Sequence, residues 1–146
     1  MTGGRRRPEE YGPLPFPPPV LAAKTPDELA TLAALDRFKR AMGFRRELQQ
    51  ALRPLGISFA EWRLLEASSR LIRQTGEPVS HLEVSRELDV SEGCVSRLMW
   101  QLAGRGLVDH DLDGLGLQYR VLVTNESEGL VAEGYVLAAA VENRRR

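Results

Sequence analysis

An arginine and a tryptophan lie about one turn apart on a predicted helix, and their side chains are well suited to binding a partner. In residues 91–108, SEGCVSRLMWQLAGRGLV, apolar residues recur at helical spacing and define a buried stripe: Val95, Leu98, Met99 and Leu102. The opposite stripe then carries Arg97 and Trp100 between Gly93 and Gly104. A guanidinium pairs bidentately with guanine or clamps a phosphate, whereas an exposed tryptophan can anchor a protein. The two residues therefore indicate a binding surface, for DNA or for protein.

Catalytic and metal-binding chemistry has little support in the sequence. There is no glycine-rich phosphate loop and no nucleophile beside a base, so we expect no enzyme, no catalytic residue and no cofactor. Cys94, the single cysteine, cannot form an internal disulfide; we expect a packed, inert thiol, with a redox sensor as the alternative. His81 and His110 lack metal-ligand spacing, and we expect them to be solvated surface histidines. No metal site is therefore expected.

The length and composition indicate one globular domain. A chain of 146 residues is long enough for one core, and 42% hydrophobic with 27% charged residues is ordinary for a globular protein. No apolar run approaches the roughly 18 residues that span a bilayer, and no signal-peptide core follows the N-terminus. We therefore expect a cytoplasmic protein without a membrane partner.

Charge is distributed unevenly although the net charge is zero. Residues 37–53 carry six basic residues and one acidic residue, whereas residues 80–120 carry four basic and seven acidic residues. DNA affinity depends on Lys and Arg side chains that neutralise phosphates. The segment around Arg97 is therefore acidic for a DNA-binding surface.

The N-terminal part of the chain combines a tail with a long helix. Residues 1–24 are rich in proline, which predicts a flexible arm, with a role in gripping a partner subunit as the alternative. Thr25 as N-cap, Pro26 and Glu28 begin a helix that should run to Pro54. A helix of that length cannot bury its apolar side within so small a domain. We therefore expect part of it to pack on a second copy of the chain.

The remaining elements follow from recurring helix-start patterns. Ser58 and Ser80, each followed three residues later by glutamate, predict two helices, and Ser91 begins a third after a tight turn. This is helix-turn-helix spacing, over residues 80–104. Residues 107–124 predict a hairpin, and Asn125 is expected to cap a last helix. The domain would thus cover residues 25–143, with a basic tail at 144–146.

This order of elements, with these residues, resembles the MarR family of winged helix-turn-helix transcription regulators. The most specific motifs are FAEWRLLEA in the second helix, VSHLEVSRELDVSEGCVSRLMWQLAGRGLV through the helix-turn-helix, and VLVTNESEG after the hairpin. The resemblance covers about residues 25–141 and implies a mainly α (α+β) fold with long N-terminal and C-terminal dimerisation helices. It implies a homodimer that binds double-stranded DNA sequence-specifically, with the helix of residues 91–104 in the major groove and the hairpin at the minor groove.

The resemblance also implies site residues and a ligand. Candidate DNA contacts are Ser80, Ser91, Gly93, Ser96, Arg97, Trp100 and Arg120. Candidate dimer contacts are Leu29, Leu32, Leu35, Phe38, Val131 and Tyr135. Many members bind a small aromatic ligand between the dimer helices and the winged domain. Arg45, Trp62 and Phe44 could line such a cavity, although core packing explains the two aromatics at least as well.

The hairpin departs from the usual family pattern. Members usually carry a basic residue near its tip, whereas DLDGLGLQ has none before Arg120, and Leu115 and Leu117 occupy the tip. Each lost phosphate contact weakens DNA binding and lowers its salt dependence. Two hypotheses therefore stay open: a DNA-binding regulator, and a winged-helix module that binds a protein partner through Trp100, Leu115 and Leu117, with DNA binding weak or lost.

Overall fold

The computed structural model describes residues 24–112 and 119–146, with the backbone alone at Leu112. The chain divides into two units, Met1–Phe38 and Lys39–Arg146. The elements are, in order, α1 (Pro26–Leu52), a 3-10 turn (Arg53–Leu55), α2 (Phe59–Thr75), β1 (Val79–Ser80), α3 (His81–Leu88), α4 (Glu92–Gly104), β2 (Val108–Leu112), β3 (Tyr119–Val123) and α5 (Asn125–Arg145). The expectations for the proline-rich arm before Lys24 and for the hairpin tip with Leu115 and Leu117 lie outside the described residues.

Helix α1 begins and ends where the sequence predicts. The Thr25 hydroxyl accepts a hydrogen bond from the Glu28 backbone N–H at 3.1 Å, and the Thr25 N–H donates to the Glu28 carboxylate at 3.2 Å. This reciprocal cap satisfies two N–H groups that a helix start leaves unpaired. The helix ends at Leu52, one residue before the turn that contains Pro54. In the first unit its large apolar side chains are 45–64% exposed: Leu29, Leu32, Leu35 and Phe38.

The helix-turn-helix is built from α3 and α4. The Ser80 hydroxyl accepts from the Glu83 N–H at 3.1 Å and begins α3, and the Ser91 hydroxyl accepts from the Cys94 N–H at 3.2 Å and begins α4. Asp89 ends α3 in the left-handed conformation, with φ of 54°. Aspartate tolerates this conformation better than most residues, so the turn between the helices stays short. The helix-turn-helix prediction is confirmed.

The sheet has three antiparallel strands in the order β1-β3-β2. β2 and β3 form the predicted hairpin, with Val108 opposite Val123 and His110 opposite Val121. β1 was not predicted. It contains only Val79 and Ser80, too few residues to show an alternation of apolar and polar residues. It pairs with the edge of β3 that does not contact β2.

Helix α5 begins one residue earlier than its predicted cap implies. Thr124, not Asn125, is the N-cap: its hydroxyl accepts from the Ser127 N–H at 3.4 Å, while Asn125 is the first helical residue. The Ser127 hydroxyl in turn donates to the Leu107 carbonyl oxygen. A threonine with this tertiary support holds the cap position in place of the asparagine.

The core of the second unit is formed by apolar side chains of the end of α1, of α2 to α5 and of all three strands. Trp62 lies in it, 6% exposed, and its indole N–H donates to the Val131 carbonyl oxygen at 3.4 Å. Val131 is itself only 1% exposed. Its side chain packs inside its own chain, so a partner subunit could not reach it, contrary to the expected dimer contact. Within the described residues, no helix combines the length and apolar character needed to cross a membrane.

Candidate nucleic-acid interface

Helix α4 presents one buried and one exposed stripe. Three residues of the inner stripe are fully buried: Val95, Met99 and Leu102. Four residues of the outer stripe are exposed: Gly93, Arg97, Trp100 and Gly104. The helical spacing of the apolar residues therefore predicted correctly which face packs on the core and which face is open to a partner.

Arg97 is the exposed cation of this stripe. Among the residues that the structure describes, none forms a hydrogen bond or an ion pair with its guanidinium. Ser96 beside it is half-buried, and Ser91 is exposed at the start of the helix. A Cβ added at Gly93 would meet no atom within 4 Å. The packing of the chain therefore does not require glycine there.

Two other candidate DNA contacts are used inside the fold. Ser80 is 6% exposed, and its hydroxyl is occupied by the cap of α3. Arg120 is half-buried; it donates to the Pro78 carbonyl oxygen at 3.2 Å and pairs with Glu83 at 3.7 Å. Both residues hold β1, β3 and α3 together. They would position a DNA-binding surface and are less available than Arg97 for contacting DNA.

An aromatic cluster joins α4 to the hairpin. The Trp100 indole stacks on the His110 imidazole of β2, with ring centroids 4.0 Å apart and planes 21° from parallel. Tyr119 of β3 meets the same indole edge-on at 4.9 Å. Trp100 nevertheless remains 46% exposed. One face of the tryptophan thus fixes the hairpin against the helix, while the rest of the ring is open to solvent.

His81 and His110 are not solvated surface histidines, and that prediction is wrong. His81 is 8% exposed at the start of α3, and His110 is half-buried under Trp100. Their Nε2 atoms lie 2.7 Å apart and share a hydrogen bond. Burial lowers the pKa of His81 although the charge of Glu92 opposes this; burial and the neighbouring His81 both lower the pKa of His110.

Many arginines around the helix-turn-helix are paired within the chain. Arg70 bonds the Glu66 carboxylate at 2.9 Å and also pairs with Glu87, and these hydrogen bonds raise the pKa of the Arg70 guanidinium. Burial raises the pKa of Glu66, but hydrogen bonds from Arg70 and Tyr135 outweigh it, so that pKa lies below its ordinary value. Arg105 pairs with Glu61 at 2.9 Å. Such cations are partly neutralised before any phosphate approaches.

Tyr135, expected at a dimer interface, is also engaged within its own chain. Its hydroxyl donates to the Glu66 carboxylate at 2.6 Å, and its ring meets Trp62 edge-on at 5.6 Å. Burial and the bond to Glu66 raise the pKa of its hydroxyl. The ring is still 47% exposed, so one side remains open.

A cavity of about 190 Å³ lies among α1, α2, α3 and α4. Its lining includes two arginines, Arg45 and Arg63, together with Phe59 and Cys94. The Arg45 guanidinium lies 5.4 Å from the centroid of the Phe59 ring. Of the three residues expected to line a cavity, only Arg45 does so. Trp62 belongs to the core, and Phe44 packs against it. Core packing, the alternative explanation for the two aromatics, therefore applies to both.

The chain is similar to known proteins in its structure and not detectably in its sequence. No protein-family model and no curated protein matches the sequence. A MarR-family transcriptional regulator from Rhodococcus sp. RHA1 shares 18% identity over 85% of this chain and 82% of its own, with a TM-score of 0.68. A MarR-family protein of Mycobacterium tuberculosis, solved in complex with DNA, shares 21% over 76% and 79%, with a TM-score of 0.60. The chain has the MarR-type winged-helix fold.

A third structure of the MarR-type fold contains a ligand. CouR from Rhodococcus jostii RHA1, solved with bound p-coumaroyl-CoA, shares 21% identity over 74% of this chain and 73% of its own, with a TM-score of 0.61. At these identities the likeness concerns the fold. It agrees with the mainly α fold with a small antiparallel sheet that the resemblance implied.

The contacts that the sequence did not reveal join residues far apart in the chain. His81 and His110 are 29 positions apart, and Arg120 reaches Pro78 across 42. No local period connects them. The one available signal was the MarR-type order itself, which brings the start of α3, the exposed face of α4 and the hairpin to one place.

Proposed function

We propose that the chain is a sequence-specific regulator that binds double-stranded DNA as a homodimer, with α4 in the major groove. The observation that carries this proposal is the exposed guanidinium of Arg97, which has no partner among the described residues, on the second helix of an intact helix-turn-helix. An arginine in that position can donate two parallel hydrogen bonds to a guanine or clamp a phosphate. The DNA complex of the M. tuberculosis protein of the same fold supports it.

Gly93 and Ser91 support a close approach of DNA to the start of α4. The fold has room for a side chain at Gly93, so its absence is best explained by a partner that comes close to the backbone. Ser91 is exposed beside it, and a helix start favours negative charge such as a phosphate. We expect these residues to position the backbone of the duplex and Arg97 to read a base.

The proposed homodimer would cover the apolar side of α1. Four large side chains of the first unit, Leu29, Leu32, Leu35 and Phe38, are 45–64% exposed along one helix. Several large apolar side chains exposed on one helix usually mark an interface. A symmetric pair of recognition helices would also match two half-sites of a DNA duplex.

Control by a small aromatic ligand is part of the proposal. The cavity of about 190 Å³ combines apolar walls with the cations Arg45 and Arg63, which suits an aromatic acid. CouR, a protein of the same fold, was solved with an aromatic acyl-CoA thioester bound, which supports an aromatic ligand for the fold. Its test is whether an aromatic carboxylate such as p-coumarate raises the melting temperature of the protein, and whether Arg63→Ala removes the effect.

A protein partner is the second candidate function. The observation that favours it is a pair of half-exposed aromatic side chains that join α4 to the hairpin: Trp100, 46% exposed, and Tyr119, 44% exposed, with rings in edge-on contact. An aromatic anchor of this kind is typical of protein interfaces. The acidic charge of residues 80–120 would also suit a basic protein better than a phosphate backbone.

A salt-titrated retention assay with genomic duplex fragments separates the two candidates. A DNA-binding regulator should retain a few fragments at low salt, and log affinity should fall linearly with log salt concentration. The slope should be shallow, because residues 80–120 contain four basic residues and two of them, Arg105 and Arg120, already pair with glutamates. If no fragment is retained above the level of random duplex at any salt concentration, the DNA proposal fails and the protein-binding candidate takes its place.

A further inference from the structure

We propose that the hydrogen-bonded pair His81 and His110 is a pH-sensitive device that docks the hairpin on the recognition helix and releases it as the pH falls. The pair connects three elements, since His81 begins α3, His110 belongs to β2, and Trp100 of α4 stacks on His110. The effect on DNA affinity rests on the proposed function. The docking itself does not.

The geometry of the pair is that of a hydrogen bond. The Nε2 atoms are 2.7 Å apart, within hydrogen-bond distance, and the ring centroids are 4.9 Å apart. The centroid distance exceeds the distance between the nitrogens by about two ring radii. The two nitrogens therefore face each other along the line between the rings. In such an arrangement one Nε2 carries a hydrogen and donates it, and the other accepts with its lone pair. Among the described residues no third histidine, cysteine or carboxylate completes a metal-ligand group around them.

The buried Nδ1 atom of His110 identifies the donor. Within residues 24–112 and 119–146 this atom has no hydrogen-bond partner, and it is buried from solvent. A buried N–H without an acceptor costs more than an unprotonated nitrogen, so Nδ1 is the ring nitrogen without hydrogen. His110 therefore donates through Nε2–H, and the Nε2 of His81 accepts. At neutral pH the pair holds one hydrogen between the rings and no charge.

Every way of adding a proton damages this arrangement. A proton on His81 Nε2 would point at the N–H of His110, and a proton on His110 Nδ1 would lie in a buried place without an acceptor. Two charged imidazoles at this separation would also repel each other. Undocking the hairpin relieves all three costs, because both rings then reach water.

The charged groups around the pair do not offset these costs fully. Glu92 of α4 favours a charged His81, yet the pKa of His81 remains lowered because burial prevails. From β3 the Tyr119 ring meets His110 edge-on at 5.8 Å. Asp109 and Asp111 flank His110 in β2, where alternation directs them to the opposite face. Glu83 of α3 and Arg120 of β3 pair with each other.

The direction of the pH effect follows from the lowered pKa values. An undocked histidine takes up its proton near its ordinary pKa, about 6.5, whereas the docked pair resists protonation to lower pH. The histidines therefore contribute their full stabilisation of docking above about pH 6.5, and this contribution decreases as the pH falls below it. The undocked fraction rises by up to about tenfold per pH unit for each imidazole in that window.

Nuclear magnetic resonance of the wild-type full chain tests the docking directly. Nitrogen shifts of the imidazoles should show His110 protonated at Nε2 and His81 at Nδ1 at pH 7.5, with both titrating below pH 6.5. Amide-exchange protection factors of β2 and β3, corrected for intrinsic rates, should fall tenfold or more between pH 7.5 and 5.5, while those of α2 stay constant. Titration of either ring at or above its ordinary pKa, or unchanged protection of the hairpin, overturns the inference.

A double variant then connects the pair to DNA binding. His81→Gln with His110→Phe removes both titrating groups and keeps an aromatic ring against Trp100. Between pH 7.5 and 5.5, wild-type DNA affinity should fall at least threefold, and the affinity of the variant should not fall. An equal fall in both proteins overturns the regulatory role. If the wild type retains no DNA at either pH, the proposed function has failed, and the hairpin protection factors alone decide for or against the switch.

Discussion

Gly134 is a glycine because the indole of Trp62 occupies the space that a side chain would need. A Cβ added there would lie 1.8 Å from the Trp62 Nε1 atom, and the indole is buried and hydrogen-bonded to Val131. No local sequence pattern indicates this requirement, since Gly134 lies in the middle of a helix where glycine is usually unfavourable. The contact between α2 and α5 explains it.

Replacing Gly134 with alanine should therefore destabilise the fold. We expect Gly134→Ala to lower the free energy of unfolding by about 1–3 kcal/mol, as overpacked cores do. The matched control is Gly129→Ala in the same helix, where a Cβ meets nothing within 4 Å. There alanine should be neutral or stabilising by up to about 1 kcal/mol. Urea unfolding followed by circular dichroism measures both, and equal midpoints would contradict the packing argument.

At the scale of the elements, local sequence patterns predicted the start of a helix correctly where the capping hydrogen bond forms within that helix. Thr25, Ser58, Ser80 and Ser91 were all predicted as caps, because each cap and its partner lie three residues apart. The prediction was wrong by one residue at Thr124, where the tertiary bond between Ser127 and Leu107 selects the cap. β1 was missed because its pairing with β3 depends on residues forty positions away.

The turn between α3 and α4 allows a test of this local description. Asp89 has φ of 54°, which costs an ordinary L-residue about 1–2 kcal/mol and glycine almost nothing. Asp89→Gly should leave the unfolding free energy unchanged or raise it by up to about 1 kcal/mol, and Asp89→Val should lower it by at least 1 kcal/mol. Thermal unfolding of the two variants measures the difference. If valine is tolerated as well as glycine, the left-handed turn is not a constraint.

At the scale of the whole molecule, the sequence predicted the order of the elements but not the contacts between them. The helix-turn-helix, the hairpin and the exposed stripe of α4 follow from periods and caps. The pairing of His81 with His110 and the burial of Val131 do not, because they depend on how separate elements pack. The exposed apolar residues of α1 were predicted as a dimer contact, and that remains a prediction.

Sedimentation tests the dimer. We expect a mass about twice 16.3 kDa at micromolar concentration, because a second copy would cover Leu32 and Phe38. Leu32→Asp with Phe38→Asp should shift the protein to monomer. Both residues are exposed, so the substitutions should leave the second unit folded, and the chain should keep its helical circular dichroism signal. A wild-type chain that sediments as a monomer would refute this part of the account.

The binding free energy of Arg97→Ala for the most strongly retained genomic duplex tests the central claim most directly. Arg46→Ala is the matched control, since Arg46 is exposed on α1, outside the helix-turn-helix. If α4 reads DNA through Arg97, the first variant should lose roughly 1–3 kcal/mol at fixed salt, and the second should bind as the wild type does. Equal affinities of Arg97→Ala and the wild type would contradict the assignment of α4 as the recognition helix.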